Sequence, residues 1–189
     1  KEQFEYAEQL RKDGEIEKSI REHKKLLKHY SHSEYAPKSC FALGEIYYNQ
    51  EEYKKAFDYY QQIIDKYPNS ELIFEAIKKQ SEIGTKYLSL KITFDFPFLK
   101  SRQIEKGDFL KKAVENSPYD KDASERLFEL GMFYFDIKQY EKAEETFKRI
   151  IETYPESDLV EKANFFAIKS KYNAISDVNL DIEKLEKIK

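Results

Sequence analysis

A stretch of 34 residues occurs twice in the chain, and the second copy follows the first by 87 residues without a gap. The first copy is Leu43–Ala76 and the second is Leu130–Ala163. Thirteen positions are identical in the two copies, and most carry small, aromatic or aliphatic residues, whereas the charged positions between them vary. This pattern is typical of a repeated packing unit, and an internal repeat constrains the fold more than any other feature of the sequence.

Each copy is predicted to form two helices. In the first copy, apolar residues recur at spacings of three and four on either side of a polar segment, Asn49–Glu52, and this is the period of one helix face. The polar segment is therefore predicted to be the turn between the helices. Pro68 is predicted to end the second helix, because the residue before a proline disfavours helical dihedral angles. Ser70 is then placed to cap the next helix.

The repeated unit resembles the tetratricopeptide repeat. A Leu-Gly pair, a tyrosine, an alanine, an aromatic residue and a proline occur at that repeat's own spacings, in the first copy at Leu43, Gly44, Tyr47, Ala56, Tyr60 and Pro68, and in the second at Leu130, Gly131, Tyr134, Ala143, Phe147 and Pro155. The resemblance implies an all-α fold, a right-handed superhelix of about five helix pairs. One such pair cannot bury its apolar face without neighbours.

We expect a single tetratricopeptide-repeat domain over residues 1–189, with units at approximately 3–33, 34–70, 71–118, 119–157 and 158–189. The first unit is a weaker copy, offset by 37 residues from the second. The third pair is irregular, because about 13 residues are inserted between Pro68 and Pro118. The segment Asp177–Lys189 is expected either to form a short final helix or to fray.

Within the irregular third unit, two helices are predicted on either side of a loop. The first helix is expected from Glu71 to about Leu90 and the second from about Gln103 to Asn116. The segment Lys91–Leu99 between them contains a proline and alternates apolar and polar residues, so it is predicted to be an extended loop.

Composition limits the class of function. Acidic and basic residues are interspersed and the net charge is −3, so no basic face indicates nucleic-acid binding. No apolar run approaches the roughly 20 residues needed to span a bilayer. The single cysteine excludes an internal disulfide. The sequence contains no glycine-rich phosphate loop, and no cofactor is predicted.

No residue pattern indicates a catalytic or metal site, and the chain is predicted not to be an enzyme. His29 and His32 are three residues apart, but no carboxylate or cysteine is placed to complete a metal site, so surface turn positions are the favoured interpretation. Cys40 is predicted to be a buried structural thiol, since no histidine partner is patterned with it. The acidic pairs Glu51-Glu52 and Glu144-Glu145 are interpreted as solvated turns or helix faces.

A binding surface is the better-supported interpretation. The first helix of each pair lines the concave surface in tetratricopeptide stacks, and aromatic side chains there are good anchors for an extended peptide because they combine large area with few rotamers. The alternative is that some of these side chains only pack between repeats. By the resemblance, the residues on this surface are Phe4, Glu8, Arg11, Lys38, Phe41, Glu45, Tyr48, Asn49, Phe128, Met132, Phe135 and Asp136.

Three phenylalanines of the insertion form a separate candidate site. Phe94, Phe96 and Phe98 alternate with other residues, so an extended strand would place all three on one side. One interpretation is that they fold back and cover the irregular third unit. The other is that they form an apolar loop that docks on a partner.

The finer sequence pattern resembles the BamD family of outer-membrane assembly lipoproteins. Two Tyr-Pro-x-Ser closures, a longer and irregular middle repeat, and the Pro-Tyr closure of Ser117–Tyr119 carry this resemblance over roughly Phe4 to Ile175. It implies a scaffold at the periplasmic face of the outer membrane that binds the POTRA region of the β-barrel insertase and unfolded barrel proteins. It also implies a lipid anchor on an N-terminal cysteine, which is not in this sequence.

Two other interpretations remain open. The periplasmic YbgF-type repeat protein of the Tol–Pal system has the same Tyr-Pro-x-Ser closures, although its repeats are more uniform. A general repeat adaptor for protein–protein interaction is the third. In all three the partners are proteins.

Overall fold

The computed structural model describes the backbone of residues 1–89 and 97–186, and the side chains of residues 1–86 and 107–176. Over these residues the chain forms nine α-helices and no strand. The first eight follow one another as four helix pairs, which confirms the all-α fold of tandem pairs. The nine helices are α1 (Glu2–Lys12), α2 (Ile16–His29), α3 (Tyr35–Asn49), α4 (Tyr53–Lys66), α5 (Ile73–Ser89), α6 (Pro97–Asn116), α7 (Ala123–Asp136), α8 (Tyr140–Thr153) and α9 (Val160–Glu186).

The chain divides into two compact units, which we call unit 1 (Lys1–Ile83) and unit 2 (Gly84–Lys189). Unit 1 holds the first two helix pairs and most of α5, and unit 2 holds the end of α5 and the remaining helices. Each unit buries its own set of aliphatic and aromatic side chains. The single domain expected over residues 1–189 stays a prediction.

The polar turn predicted at Asn49–Glu52 is confirmed. The first helix ends at Asn49 and the next begins at Tyr53. Glu51 adopts φ = 59°, and the equivalent residue of the later pair, Lys138, also adopts φ = 59°. The turn therefore reverses the chain through one left-handed residue in both copies.

The turns that follow α4 and α8 contain the same serine hydrogen bond. The first of these helices ends at Lys66, two residues before Pro68, as predicted. The hydroxyl of Ser70 accepts a hydrogen bond from the Leu72 N–H at 3.2 Å, and the next helix starts one residue later. Ser157 makes the same bond at 3.3 Å. Ser70 therefore bonds an N–H of the turn before the helix, two positions ahead of the N-cap position that was predicted for it.

In the irregular third unit, α5 matches its predicted range to within two residues, whereas α6 begins earlier than predicted. Its first residue is Pro97, six positions before Gln103. The extended-loop prediction is therefore wrong for the last three residues of Lys91–Leu99. A proline suits the first turn of a helix, because the N–H that it lacks has no helical partner there. Alternation over a few residues did not outweigh this preference.

The earlier start of α6 changes the prediction for one of the three loop phenylalanines. Phe98 lies in the first turn of α6, so the expected extended strand with all three rings on one side is wrong for this residue. Phe94 and Phe96 lie outside the described residues, and the choice between covering and docking stays open for them.

The last helix also differs from expectation. Asp177 to Glu186 continue α9 without a break, so the predicted separate helix or frayed end is wrong for these residues. The sequence from Val160 to Glu186 contains no glycine or proline, and nothing in it interrupts a helix. The described part of the fifth unit is therefore one long helix.

Candidate protein-binding faces

The predicted binding residues fall into three equivalent clusters. Each cluster consists of a phenylalanine of the first helix, the residue four positions after it, and a ring of the second helix. Adding 37 to the residue numbers of the first cluster gives the second cluster, and adding a further 87 gives the third. The three clusters are Phe4, Glu8 and His23, then Phe41, Glu45 and Tyr60, and then Phe128, Met132 and Phe147.

The rings of each cluster meet in nearly the same geometry. In every case the first-helix phenylalanine meets the second-helix ring edge to face, an arrangement that the aromatic quadrupole favours. The centroids are 5.6 Å apart for Phe4 and His23, 5.4 Å for Phe41 and Tyr60, and 5.4 Å for Phe128 and Phe147, with interplanar angles of 64°, 62° and 61°.

The first cluster is a buried polar network. His23 is fully buried, and its Nε2 lies 3.2 Å from a carboxylate oxygen of Glu8 while its Nδ1 lies 3.2 Å from the hydroxyl of Ser39. Arg11 donates to the other carboxylate oxygen of Glu8 at 2.6 Å. The hydrogen bond from His23, followed by the bond and charge of Arg11, lowers the pKa of Glu8 despite the opposing effect of burial.

The second cluster keeps the acid and replaces the imidazole with a phenol. The hydroxyl of Tyr60 donates to Glu45 at 2.5 Å, and Lys79 of the next helix approaches the same carboxylate at 3.3 Å. The Lys79 ammonium also lies 5.3 Å from the ring centroid of Tyr48. Burial, followed by the hydrogen bond to the neighbouring carboxylate, raises the pKa of Tyr60 and so favours the protonated hydroxyl that donates to Glu45.

The third cluster is apolar. Phe147 is fully buried and stacks on Phe166 with centroids 5.5 Å apart. Phe128 and Phe135 meet the same ring edge to face at 5.8 and 5.7 Å. Met132, the equivalent of the two acids, packs half-buried against this core.

The remaining predicted residues of unit 1 lie along the first helices of its pairs. Lys38 is half-buried, with its ammonium 5.7 Å from the ring centroid of Tyr35 and 3.8 Å from Glu71. Phe4 touches the same Tyr35 ring at 5.5 Å. Asn49 is exposed at the helix end. Seven of the predicted unit 1 residues lie along these helices together with Tyr35 and Lys79, which were not predicted. We call the nine residues the unit 1 face: Phe4, Glu8, Arg11, Tyr35, Lys38, Phe41, Glu45, Tyr48 and Lys79.

The unit 2 residues are placed differently. The rings of Phe128 and Phe135 are largely occupied by contacts within the protein, which corresponds to the packing alternative for these two side chains. Asp136 is exposed at the end of α7. Whether any of these residues contacts a partner stays a prediction.

The residues considered for chemistry have ordinary placements. His29 and His32 are exposed, and no group of three or more His, Cys, Asp or Glu residues in the described part of the chain could hold a metal ion. Cys40 is fully buried, and burial raises the pKa of its thiol to about 12. Glu52 pairs with Lys55, and Glu144 pairs with Lys148 at 2.6 Å. Among the described residues, no helix combines the length and apolar character needed to cross a bilayer.

Sequence reasoning missed two features. The equivalence of His23 with Tyr60 follows from the 37-residue offset, and its signal was present in the sequence. The second is a row of exposed apolar side chains on α9 at spacings of three, four and three, which we call the α9 stripe: Phe165, Ile168, Tyr172 and Ile175. That spacing is also present in the sequence, but these side chains were expected to pack against a second helix of the fifth unit and were therefore not interpreted as exposed.

Comparison with known proteins identifies the repeats. The tetratricopeptide-repeat family matches residues 37–70 and, through a second description of the same repeat, residues 127–157. No curated protein matches the chain. Similar solved structures include MamA residues 41 to the end from Desulfovibrio magneticus RS-1, at 16% identity, 95% coverage of this chain, 93% of that chain and a TM-score of 0.40. Another MamA crystal structure has 14% identity, coverages of 97% and 92%, and a TM-score of 0.42.

Proposed function

We propose that this tetratricopeptide-repeat chain is a non-enzymatic scaffold of the outer-membrane β-barrel assembly machinery, acting at the periplasmic face of that membrane. Tetratricopeptide repeats indicate protein–protein interaction, and this coarser function follows from the family matches. The finer proposal is that the chain binds the POTRA region of a barrel insertase and unfolded barrel proteins. A lipid anchor would hold the protein at the membrane.

The observation that carries the proposal is the unit 1 face. Half-buried rings recur along its first helices, at Phe4, Phe41 and Tyr48, and charged side chains alternate with them. Such a surface suits an extended strand, because rings accept apolar side chains while charged and polar groups meet the peptide backbone. The terminal strands of outer-membrane barrels alternate apolar and polar residues and match that chemistry.

The electrostatics of the face fit a rigid receptor. Each acid of the first two clusters is held by a ring from the second helix and by a cation, so neither carboxylate needs to reorganise when a peptide arrives. Preorganisation of this kind reduces the ordering cost of binding. The Tyr-Pro-x-Ser closures and the irregular third unit add the family resemblance on which the insertase assignment depends.

The first experiment recovers partners of the full-length protein from detergent-solubilised envelopes. A stoichiometric insertase bearing POTRA domains would support the assembly role. Recovery of Tol–Pal components would favour the YbgF-type alternative, and recovery of unrelated proteins alone would contradict the envelope assignment. Both negative results leave the scaffold function in place.

A second experiment tests the unit 1 face directly. A synthetic strand peptide with alternating aromatic residues is titrated against the wild-type chain and against Tyr48→Ser. Loss of one aromatic anchor is expected to weaken binding by about tenfold, which corresponds to about 1.4 kcal/mol. The matched control is Tyr6→Ser, since Tyr6 is an exposed tyrosine outside the face. Equal weakening in both variants would show that the peptide does not use this face.

A further inference from the structure

The helix α9 has two faces of opposite character. Ala163, Ala167 and Ser170 are buried, and they lie along the side that packs on the preceding helix. The residues of the α9 stripe are 55 to 73% exposed. At about 100° per residue, the stripe lies roughly half a turn away from the alanines. The stripe is therefore an apolar helix face without a partner among the described residues.

The spacing of the stripe fits another helix. Phe165, Ile168, Tyr172 and Ile175 are separated by three, four and three residues, which is the spacing of a seam between two packed helices. A strand or an irregular loop would not match four side chains in this register over three turns. The partner is therefore expected to be an amphipathic helix.

The charge around the stripe determines the chemistry of that helix. Glu161 and Asp177 stand at the two ends of this segment of α9, and between them the sequence contains three lysines and no other acidic residue. The middle of the stripe, from Ile168 to Tyr172, is therefore flanked by basic residues only. Lys169 and Lys171 lie on opposite sides of the stripe, and both are exposed. In the described part of the chain, neither ammonium forms an ion pair with a carboxylate.

The lysine on one side is held in position by rings. The ammonium of Lys169 lies 5.3 Å from the ring centroid of Phe135 and 5.7 Å from those of Phe165 and Phe166. These cation–π contacts keep the charge beside the stripe rather than in bulk solvent. A carboxylate arriving next to the stripe would therefore meet an ordered cation.

We propose that the α9 stripe docks an amphipathic helix whose apolar seam is flanked by acidic residues. Charge complementarity selects this partner over one with basic flanks, because like charges across an interface oppose association. Asp177–Glu186 continue α9 itself, so that segment cannot lie over the stripe while the helix is intact. The inference goes beyond the proposed function: it concerns α9 rather than the unit 1 face and does not depend on the assembly role.

The test uses two labelled synthetic helical peptides with identical leucine seams, one with glutamate flanks and one with lysine flanks. Each is titrated against the full chain by fluorescence anisotropy. The acidic peptide is expected to bind at least about tenfold more tightly than the basic one, and its affinity should fall with added salt. Equal affinity for the two peptides, or no binding of the acidic peptide, would overturn the proposal.

Charge reversal and removal of the apolar side chains assign the binding to the stripe. Lys169→Glu with Lys171→Glu is expected to invert the preference, whereas the matched reversal of two exposed lysines on α6, Lys111→Glu with Lys112→Glu, should leave it unchanged. Ile168→Ser with Tyr172→Ser should weaken the acidic peptide about tenfold without lowering the melting temperature, since both side chains are exposed.

Sedimentation of the chain alone separates a second copy from a different partner. A monomer over the concentrations of the titration supports the proposal. A dimer that the serine variants convert to a monomer would show that the stripe binds another copy of this chain, and the proposed acidic partner would then be wrong.

Discussion

The pairs α3/α4 and α7/α8 pack in the same way but line their first helices with different chemistry. In both, a glycine on the first helix lies directly under a ring of the second: a Cβ at Gly44 would lie 2.6 Å from Tyr60, and one at Gly131 would lie 2.6 Å from Phe147. Yet the residue after the glycine is Glu45 in one pair and methionine in the other. Backbone packing and surface chemistry are therefore set by different positions of the repeat.

The earliest pair extends the comparison. There the ring is His23 and the acid is Glu8, so the series from first to last regular pair runs from acid with imidazole, through acid with phenol, to thioether with phenyl. Unit 1 thus carries the polar versions and unit 2 the apolar one. The edge-to-face contact survives all three because it requires only two rings in the right places.

The largest expected effect tests whether the two rings support the fold equally. Tyr60→Ala and Phe147→Ala each remove a fully buried ring. We expect each to lower the free energy of unfolding by about 3–5 kcal/mol, measured by urea unfolding with circular dichroism. A large loss in one pair and a small loss in the other would break the equivalence inferred from geometry.

The next effect concerns the close approach beneath the rings. Gly44→Ala and Gly131→Ala are expected to destabilise their pairs by similar amounts, about 1–3 kcal/mol each, because the added methyl would lie 2.6 Å from the ring of a fully buried side chain. The control combines Gly131→Ala with Phe147→Leu, in which part of the space is released. If that double variant were no more stable than predicted from adding the single effects, the steric explanation would be wrong.

A smaller effect is expected when the side chains of one pair are replaced by those of the other. Phe147→Tyr places a hydroxyl beside Met132 and is expected to lower stability by about 1–3 kcal/mol, since the buried group lacks an acceptor. Adding Met132→Glu should recover part of this loss, by reproducing the bond that Tyr60 makes to Glu45. In a double-mutant cycle, a favourable coupling between the two changes would show that the second pair can form the same hydrogen bond as the first. The absence of coupling would contradict the equivalence of the two pairs.

The smallest effect is the pH dependence of unit 1. The folded-state pKa of Glu8 lies below its ordinary value of 4.5, so the stabilisation it provides is present above that pH and is lost as the pH falls through the folded-state value. Glu8→Gln is expected to flatten the fall in stability of the chain on the acid side of pH 4.5. The measurement is urea unfolding at a series of acidic pH values. An unchanged pH profile would contradict the assigned role of this carboxylate.

Much of the fold could be predicted because the positions that are identical between the two copies of the repeat are mostly those that pack between helices. The helix ends around Asn49–Glu52 and before Pro68 follow from turn and proline chemistry, which is local. The start of α6 and the continuity of α9 could not be predicted in the same way. At both places the sequence no longer follows the repeat. The start of α6 was predicted instead from a short alternation of apolar and polar residues, and the end of α9 from the expectation of a separate final helix.

The candidate site was predicted only in part, for a similar reason. A position on the first helix can be assigned from the repeat, which is why Phe4, Phe41 and Glu45 lie together on one face. Whether its ring remains open to a ligand depends on neighbours from other helices. Phe135 illustrates this, since Tyr140, Phe166 and Lys169 surround it. No property of Phe135 itself reveals those contacts.

The buried thiol of Cys40 has a consequence for observing the molecule. It is the single cysteine of the chain and lies in unit 1, fully buried within α3. Because the side chain is fully buried, and burial also raises the pKa of the thiol to about 12, we expect a reagent that attacks the thiolate to react when the surrounding helices separate. The rate at which Cys40 is modified therefore reports how often unit 1 opens locally. Opening of unit 2 gives no such signal, because that unit contains no cysteine.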